Sequence, residues 1–316
     1  MRYALLVTVV LLAGLNAFGA APQPFDIVAA GGESLACGIG VPFVRPYVEF
    51  LGISVEADTD VDFIAPAGDG RILALVDREA IVELRPDLTR TPVFSGVDGT
   101  FGRGFVVDAA GNIYLSTAQG RFFAIRPDGT IRAEFALNPG VMDLAADQCT
   151  LFYTTPFGPS GIHRFNVCTG APLSDFLPGV RSMGIKLLPD GGLLRLPQFG
   201  PEPEEEGKVF RYDAAGTLTR TYEVLVDGES LGLGRAGRTM FVGSDCLDQG
   251  IVREWDLESG TLLRSISLQF NLPEEIVAYD GFTAALGPLA AAVPSLSTIM
   301  LAVLGALLAL VATHRL

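Results

Sequence analysis

The chain has 316 residues, 49% of them hydrophobic and 18% charged, with 37 Gly and 20 Pro. A net charge of −14 with only 22 Lys and Arg argues against a nucleic-acid partner, whose phosphates need a basic face. The Gly content and the near absence of a 3.6-residue hydrophobic period exclude a helical bundle and favour an all-β chain with many turns.

Residues 1–20 read as a secretory signal peptide. Arg2 is a short positive region, Ala4 to Leu15 is apolar, and cleavage is expected near Gly19, Ala20 and Ala21. The apolar run is shorter than the ~20 residues a membrane span needs, so an uncleaved anchor is the lesser reading. Export makes disulfides permissible for the four cysteines. Residues 21–49 are irregular and carry Cys37, and Pro46 to Ile53 read as one or two outer strands.

From Val61 onward the chain repeats. Its clearest copy runs from Phe101 to Leu137, four short strands joined by Ala110-Gly111-Asn112, Ala118-Gln119-Gly120 and Pro127-Asp128-Gly129-Thr130. Gly and Asn accept positive φ at such turns, and Pro presets φ. The corresponding turns are Asp69-Gly70, Ala110-Gly111, Asp147-Gln148, Asp190-Gly191, Ala236-Gly237 and Asp280-Gly281, spaced by 41, 37, 43, 46 and 44 residues. A period near 40 with four strands per unit marks a β-propeller. The expected fold is therefore all-β, a propeller of about six four-stranded blades, with five or seven possible. Its last blade is shared between residues 26–57 and 273–286, because a ring must pair its edges.

Asp108, Gly111, Asn112, Ile113 and Tyr114, with the later Pro127-Asp128-Gly129, resemble NHL-type six-bladed propeller repeats. The likeness covers roughly residues 60–285 and implies fold, not activity. Residues 253–266 also resemble a WD-repeat strand pair, but no Gly-His dipeptide accompanies them.

The domain plan is a signal peptide over 1–20, a propeller over 21–286, a linker and motif over 287–297, and a hydrophobic segment over 298–316. Ser295 to Ala312 is 18 residues without charge, about 27 Å as one C-terminal hydrophobic helix. Val293-Pro294-Ser295-Leu296-Ser297 ahead of it resembles the IPTL and PEP C-terminal sorting signals of Gram-negative bacteria, without the Glu-Trp that often follows and with only Arg315 and His314 as a basic end. The resemblance implies an exosortase-like processing enzyme as partner and transient membrane tethering at the cell surface or outer envelope. A plain single-span anchor is the other reading.

Candidate chemistry is sparse. Cys149 and Cys168 lie 19 residues apart in one blade, where adjacent antiparallel strands could bridge them. Cys37 and Cys246 would form a second bridge if the ring closes as inferred. Glu56, Asp58, Asp60 and Asp62 alternate; on one strand they would share a face, and Asp58, Asp60 and Asp62 are candidates for calcium, but no Gly or closing Glu completes a loop. A solvated acidic loop is the plainer reading, and no other cofactor is indicated. Glu202 to Glu206 read as a solvated insertion, and His163 as a polar outward residue. These residues suit a non-enzymatic binding or scaffold module for a protein or glycan. The alternatives are a metal-dependent lactonase or streptogramin-lyase-like enzyme and a structural envelope protein.

Overall fold

The computed structural model describes residues 27–31, 47–50, 53–56, 61–67, 71–76, 80–84, 90–95, 102–117, 119–155, 160–197, 203–224, 228–234, 237–244, 251–267 and 275–278. The signal peptide, Cys37, Asp58, Asp60, Cys246 and the tail from 287 to 316, with Val293-Pro294-Ser295-Leu296-Ser297, lie outside the described residues.

Five blades are made of consecutive strands. Blade 1 comprises β4 (Val61–Pro66), β5 (Ile72–Val76), β6 (Ala80–Leu84) and β7 (Arg90–Ser95). Blade 2 comprises β8 (Gly102–Val107), β9 (Ile113–Thr117), β10 (Phe122–Ile125) and β11 (Ile131–Phe135). Blade 3 comprises β12 (Met142–Leu144), β13 (Thr150–Thr154), β14 (Gly161–Asn166) and β15 (Ala171–Pro178). Blade 4 comprises β16 (Ser182–Leu187), β17 (Leu193–Pro197), β18 (Lys208–Tyr212) and β19 (Leu218–Glu223). Blade 5 comprises β20 (Gly228–Leu233), β21 (Thr239–Ser244), β22 (Ile251–Asp256) and β23 (Leu262–Ser267).

One further four-stranded sheet joins the two ends of the described chain: β24 (Glu275–Ala278) pairs antiparallel with β1 (Ile27–Gly31), followed by β2 (Tyr47–Phe50) and β3 (Ile53–Glu56). The innermost strands β4, β8, β12, β16, β20 and β24 each neighbour the next around the axis, so no inner strand is left as an open edge.

The strands follow from local sequence. The second strands, ILALV, IYLST, TLFYT and LLRLP, are almost wholly buried because both faces of a blade pack against neighbours. The fourth strands are polar and largely exposed, as outer edges require. The core accordingly lies between blades. Leu73, Leu75 and Ile81 pack with Phe105, Ile113 and Phe123 from the next blade, and the same layering recurs between later blades.

The repeated turns owe their shape to side-chain caps. Asp108 accepts the amides of Ala110 and Asn112 at 2.9 and 2.8 Å, and its second oxygen accepts from Asn112 Nδ2 and the Tyr114 hydroxyl. Asp147, Asn166, Asp213 and Asp256 cap their own turns in the same way. In blade 3 the usual Gly is replaced by Gln148, which holds φ at 58°. Its Oε1 accepts the Ala109 amide of blade 2 at 2.6 Å, a contact that offsets the left-handed strain.

The two ends of the ring differ. At one end, the first-to-second-strand connections of blades 1 to 5 are all five residues long: 67–71, 108–112, 145–149, 188–192 and 234–238. At the other end, the second-to-third-strand connections run from three residues (77–79) through 118–121, 155–160 and 245–250 to ten (198–207) and fifteen (32–46).

Candidate functional site: the central channel

A cavity of about 430 Å³ runs along the axis, walled by the inner strands of blades 1 to 5. It reaches Ala146, Gln148 and Pro189, which belong to the five-residue turns, so it extends toward the uniform end. Most of its wall is apolar, with Phe63, Met142, Met183 and Leu231 among the contributors. Among the described lining residues only Asp143 and Lys186 carry charge.

Asp143 lies on β12 and Lys186 on β16, at equivalent positions of neighbouring inner strands. One Asp143 oxygen accepts its neighbour Leu144's amide at 2.9 Å, and the other accepts the Leu187 amide of blade 4 at 2.7 Å. The carboxylate therefore bridges two blades by satisfying an amide on an inner strand. Burial raises its pKa, while the positive Lys186 and the two amides pull the other way.

Besides Gln148, whose amide is bonded to backbone groups of the turns, the wall holds one more polar side chain, Ser230 on β20. It is 3% exposed, lines the cavity, and its Oγ makes no hydrogen bond.

The sequence-derived candidates do not converge on this channel. Cys149 and Cys168 form a disulfide, with Cα atoms 5.2 Å apart. It joins the turn before β13 to the turn after β14, beside the amide-to-carbonyl bond from Val167 to Cys149. The acidic run does not occupy one strand: Glu56 ends β3 and Asp62 lies in β4, with 57–60 connecting two blades. Among the described residues no group of three or more His, Cys, Asp or Glu is placed to hold a metal.

Two expectations about polar residues need correction. Glu202 to Glu206 are not uniformly solvated, because Glu205 turns inward and pairs with Arg195 at 2.5 Å. Arg195 is fully buried on β17, donates to the Arg181 carbonyl at 3.1 Å and stacks on Phe210. His163 is not simply outward: its side chain is 13% exposed, its ring lies 5.3 Å from Tyr153, and Nδ1 is 2.8 Å from Asp175. Asp143, Arg195 and Ser230 were all missed by sequence reasoning. Arg195 left a signal, a charge inside the apolar run LLRLP seven residues ahead of an acidic insertion.

No protein-family profile and no curated protein matches the chain. Solved structures do. A chain of the crystal structure of a nidogen/laminin complex is 14% identical with a TM-score of 0.62, covering 80% of this chain and 98% of that one. A protein of unknown function from Bacteroides caccae is 10% identical with a TM-score of 0.55, covering 81% and 99%. What is shared is the propeller fold. At such identities it carries no activity, because a fold of this kind hosts many functions.

Proposed function

We propose that this chain is an exported, surface-displayed β-propeller that acts without catalysis, as a binding or scaffold module for a protein or glycan. The observation that supports this most is the asymmetry of the two ends. Five-residue turns, several capped by Asp side chains, make one end uniform, while the other gathers connections of three to fifteen residues. Variable loops on a rigid scaffold are where recognition is built. The nidogen/laminin likeness is compatible with a binding role. The Cys149–Cys168 bridge supports export, since disulfides persist in oxidising compartments. The Val293–Ser297 motif supports processing by an exosortase-like enzyme near residue 293, with tethering through 298–316 until then.

The test combines three measurements. The intact mass of protein extracted from the cell surface should lack the residues after about 293, whereas a full-length C-terminus would leave only a plain anchor. The purified full chain, applied to an array of envelope glycans and proteins, should bind a component and lose it when residues 198–202 are deleted, a change that keeps the Glu205–Arg195 pair. A stoichiometric divalent ion with lactone hydrolysis would establish the enzyme reading instead.

A further inference from the structure

We propose that the axial cavity is a second ligand site, separate from the variable-loop end, and that it takes a small neutral polyhydroxylated ligand of the size of a mono- or disaccharide. The argument begins with charge. One carboxylate, Asp143, and one ammonium, Lys186, face the same cavity, so its described charge sums to zero. An anion would be drawn to Lys186 but repelled by the adjacent Asp143, and a cation the reverse, so neither gains net attraction from the described charges. An uncharged ligand meets neither penalty.

Hydrogen-bond inventory narrows the class. The Asp143 carboxylate already accepts two amides, yet two carboxylate oxygens offer about four lone-pair sites, so it can still accept from a hydroxyl. The Ser230 hydroxyl is a donor and acceptor with no partner in the protein, although burial of an unpaired hydroxyl costs free energy. Alcohol groups complement both, because each donates and accepts. Placement fits as well. Ser230 sits two residues nearer the loop end of its strand than the level of Asp143 and Lys186 on theirs, as the strand registers show. Two residues of strand rise are roughly 6.5 Å, about one sugar ring. Phe63, Met142, Met183 and Leu231 give the C–H faces of such a ring an apolar wall, and two of them are adaptable methionines. The volume of about 430 Å³ falls within the usual ~300–1,000 Å³ of small-molecule sites.

The experiment uses the full chain in detergent with ligand-observed NMR and calorimetry. The probes are methyl glycosides of glucose, galactose, mannose and N-acetylglucosamine, set against gluconate, glycine and calcium chloride. At least one methyl glycoside should bind in preference to the charged probes. Ser230→Ala should weaken it about 3–10-fold, the value of one hydrogen bond, while leaving the apparent Tm unchanged or raised because an unpaired buried hydroxyl has been removed. Asp143→Asn should weaken it at least as much. The proposal is overturned if none of the glycosides binds, if gluconate, glycine or calcium binds more tightly, or if Ser230→Ala leaves glycoside affinity unchanged. Because deleting 198–202 leaves the residues lining the cavity and the Glu205–Arg195 pair in place, that variant should retain glycoside binding, so this test can fail independently of the loop-end reading.

Discussion

Gly129 tests whether the blades are held together by their repeated turns. It lies in the Pro127-Asp128-Gly129-Thr130 turn of blade 2 with φ at 81°, and a Cβ there would sit 2.4 Å from the Val93 carbonyl oxygen on the outer strand of blade 1. The pattern recurs: Gly170 approaches Phe135, Gly216 the Phe176 carbonyl and Gly260 Arg220, each on the preceding blade. Gly129→Ala therefore carries two costs. Left-handed φ in a non-Gly residue costs about 1–2 kcal/mol, and forcing a backbone shift in β7 adds about 1–3 kcal/mol. Gly179→Ala isolates the first cost, since Gly179 has φ at 79° and no atom within 4 Å of the added Cβ. In a body of this size each kcal/mol moves Tm by roughly 2–4 °C. Gly129→Ala should lower the apparent Tm by about 4–20 °C, and Gly179→Ala by about 2–8 °C. Hydrogen exchange should also quicken at Val93 and Phe94 in the first variant only. Equal Tm losses with no local change in exchange would show that the turn-to-strand contact has no weight in blade association.

Glu205→Gln should destabilise by about 2–4 kcal/mol in urea unfolding, because it leaves the fully buried Arg195 guanidinium without its carboxylate. Adding Arg195→Met should recover much of that loss. Peptide mapping without reductant should recover Cys149 joined to Cys168, and reduction should lower stability by about 3 kcal/mol, the scale for closing a loop of this size. The same map should join Cys37 to Cys246, the pairing expected if the ring closes through residues 26–57, and free thiols there would refute it. For acid, hydrogen bonds to the carboxylates hold Asp128, Asp147, Asp190 and Asp256 below their ordinary values, so their stabilisation is complete above about pH 5 and is lost as pH falls through the folded pKa values. Asp143, raised by burial, works in the opposite sense: its protonated form favours the folded state, and that contribution is lost as pH rises through its folded pKa. Apparent Tm should therefore fall as pH drops from 5 toward 2, less steeply in wild type than in Asp143→Asn.

The turns were legible because their chemistry is local. Asp108 caps amides two and four residues away, so its role is written within one heptapeptide. Four strands and three turns per unit then fix a blade with no knowledge of its neighbours. Asp143 was illegible for the opposite reason. In VMDLAADQCT it reads as one polar residue of a short strand, and its partner is the amide of Leu187, 44 residues on, presented by a strand it meets only when the ring closes. Glu205 was misread because composition places five acidic or proline residues in solvent, whereas a single buried guanidinium draws one of them inward. Tertiary pairing outweighed local polarity in both cases, across two blades for Asp143 and within blade 4 for Glu205.

The same contrast bears on where function lies. The best-preserved residues of the repeat, Asp108, Asp147, Asn166, Asp213 and Asp256, spend their oxygens on their own turns. Regularity in this chain is therefore a record of folding, and recognition has to be sought where the repeat is broken. The connections break it by length at the variable end. The axis breaks it by residue: at one inner-strand level blades 1 to 5 present Ala65, Val106, Asp143, Lys186 and Gly232. A scaffold that needed only closure could fill that level with apolar side chains, as blades 1 and 2 do. Asp143 answers to closure, since it accepts the Leu187 amide of blade 4, but the unpaired Ser230 hydroxyl in blade 5 requires another explanation. A ligand at the axis supplies one.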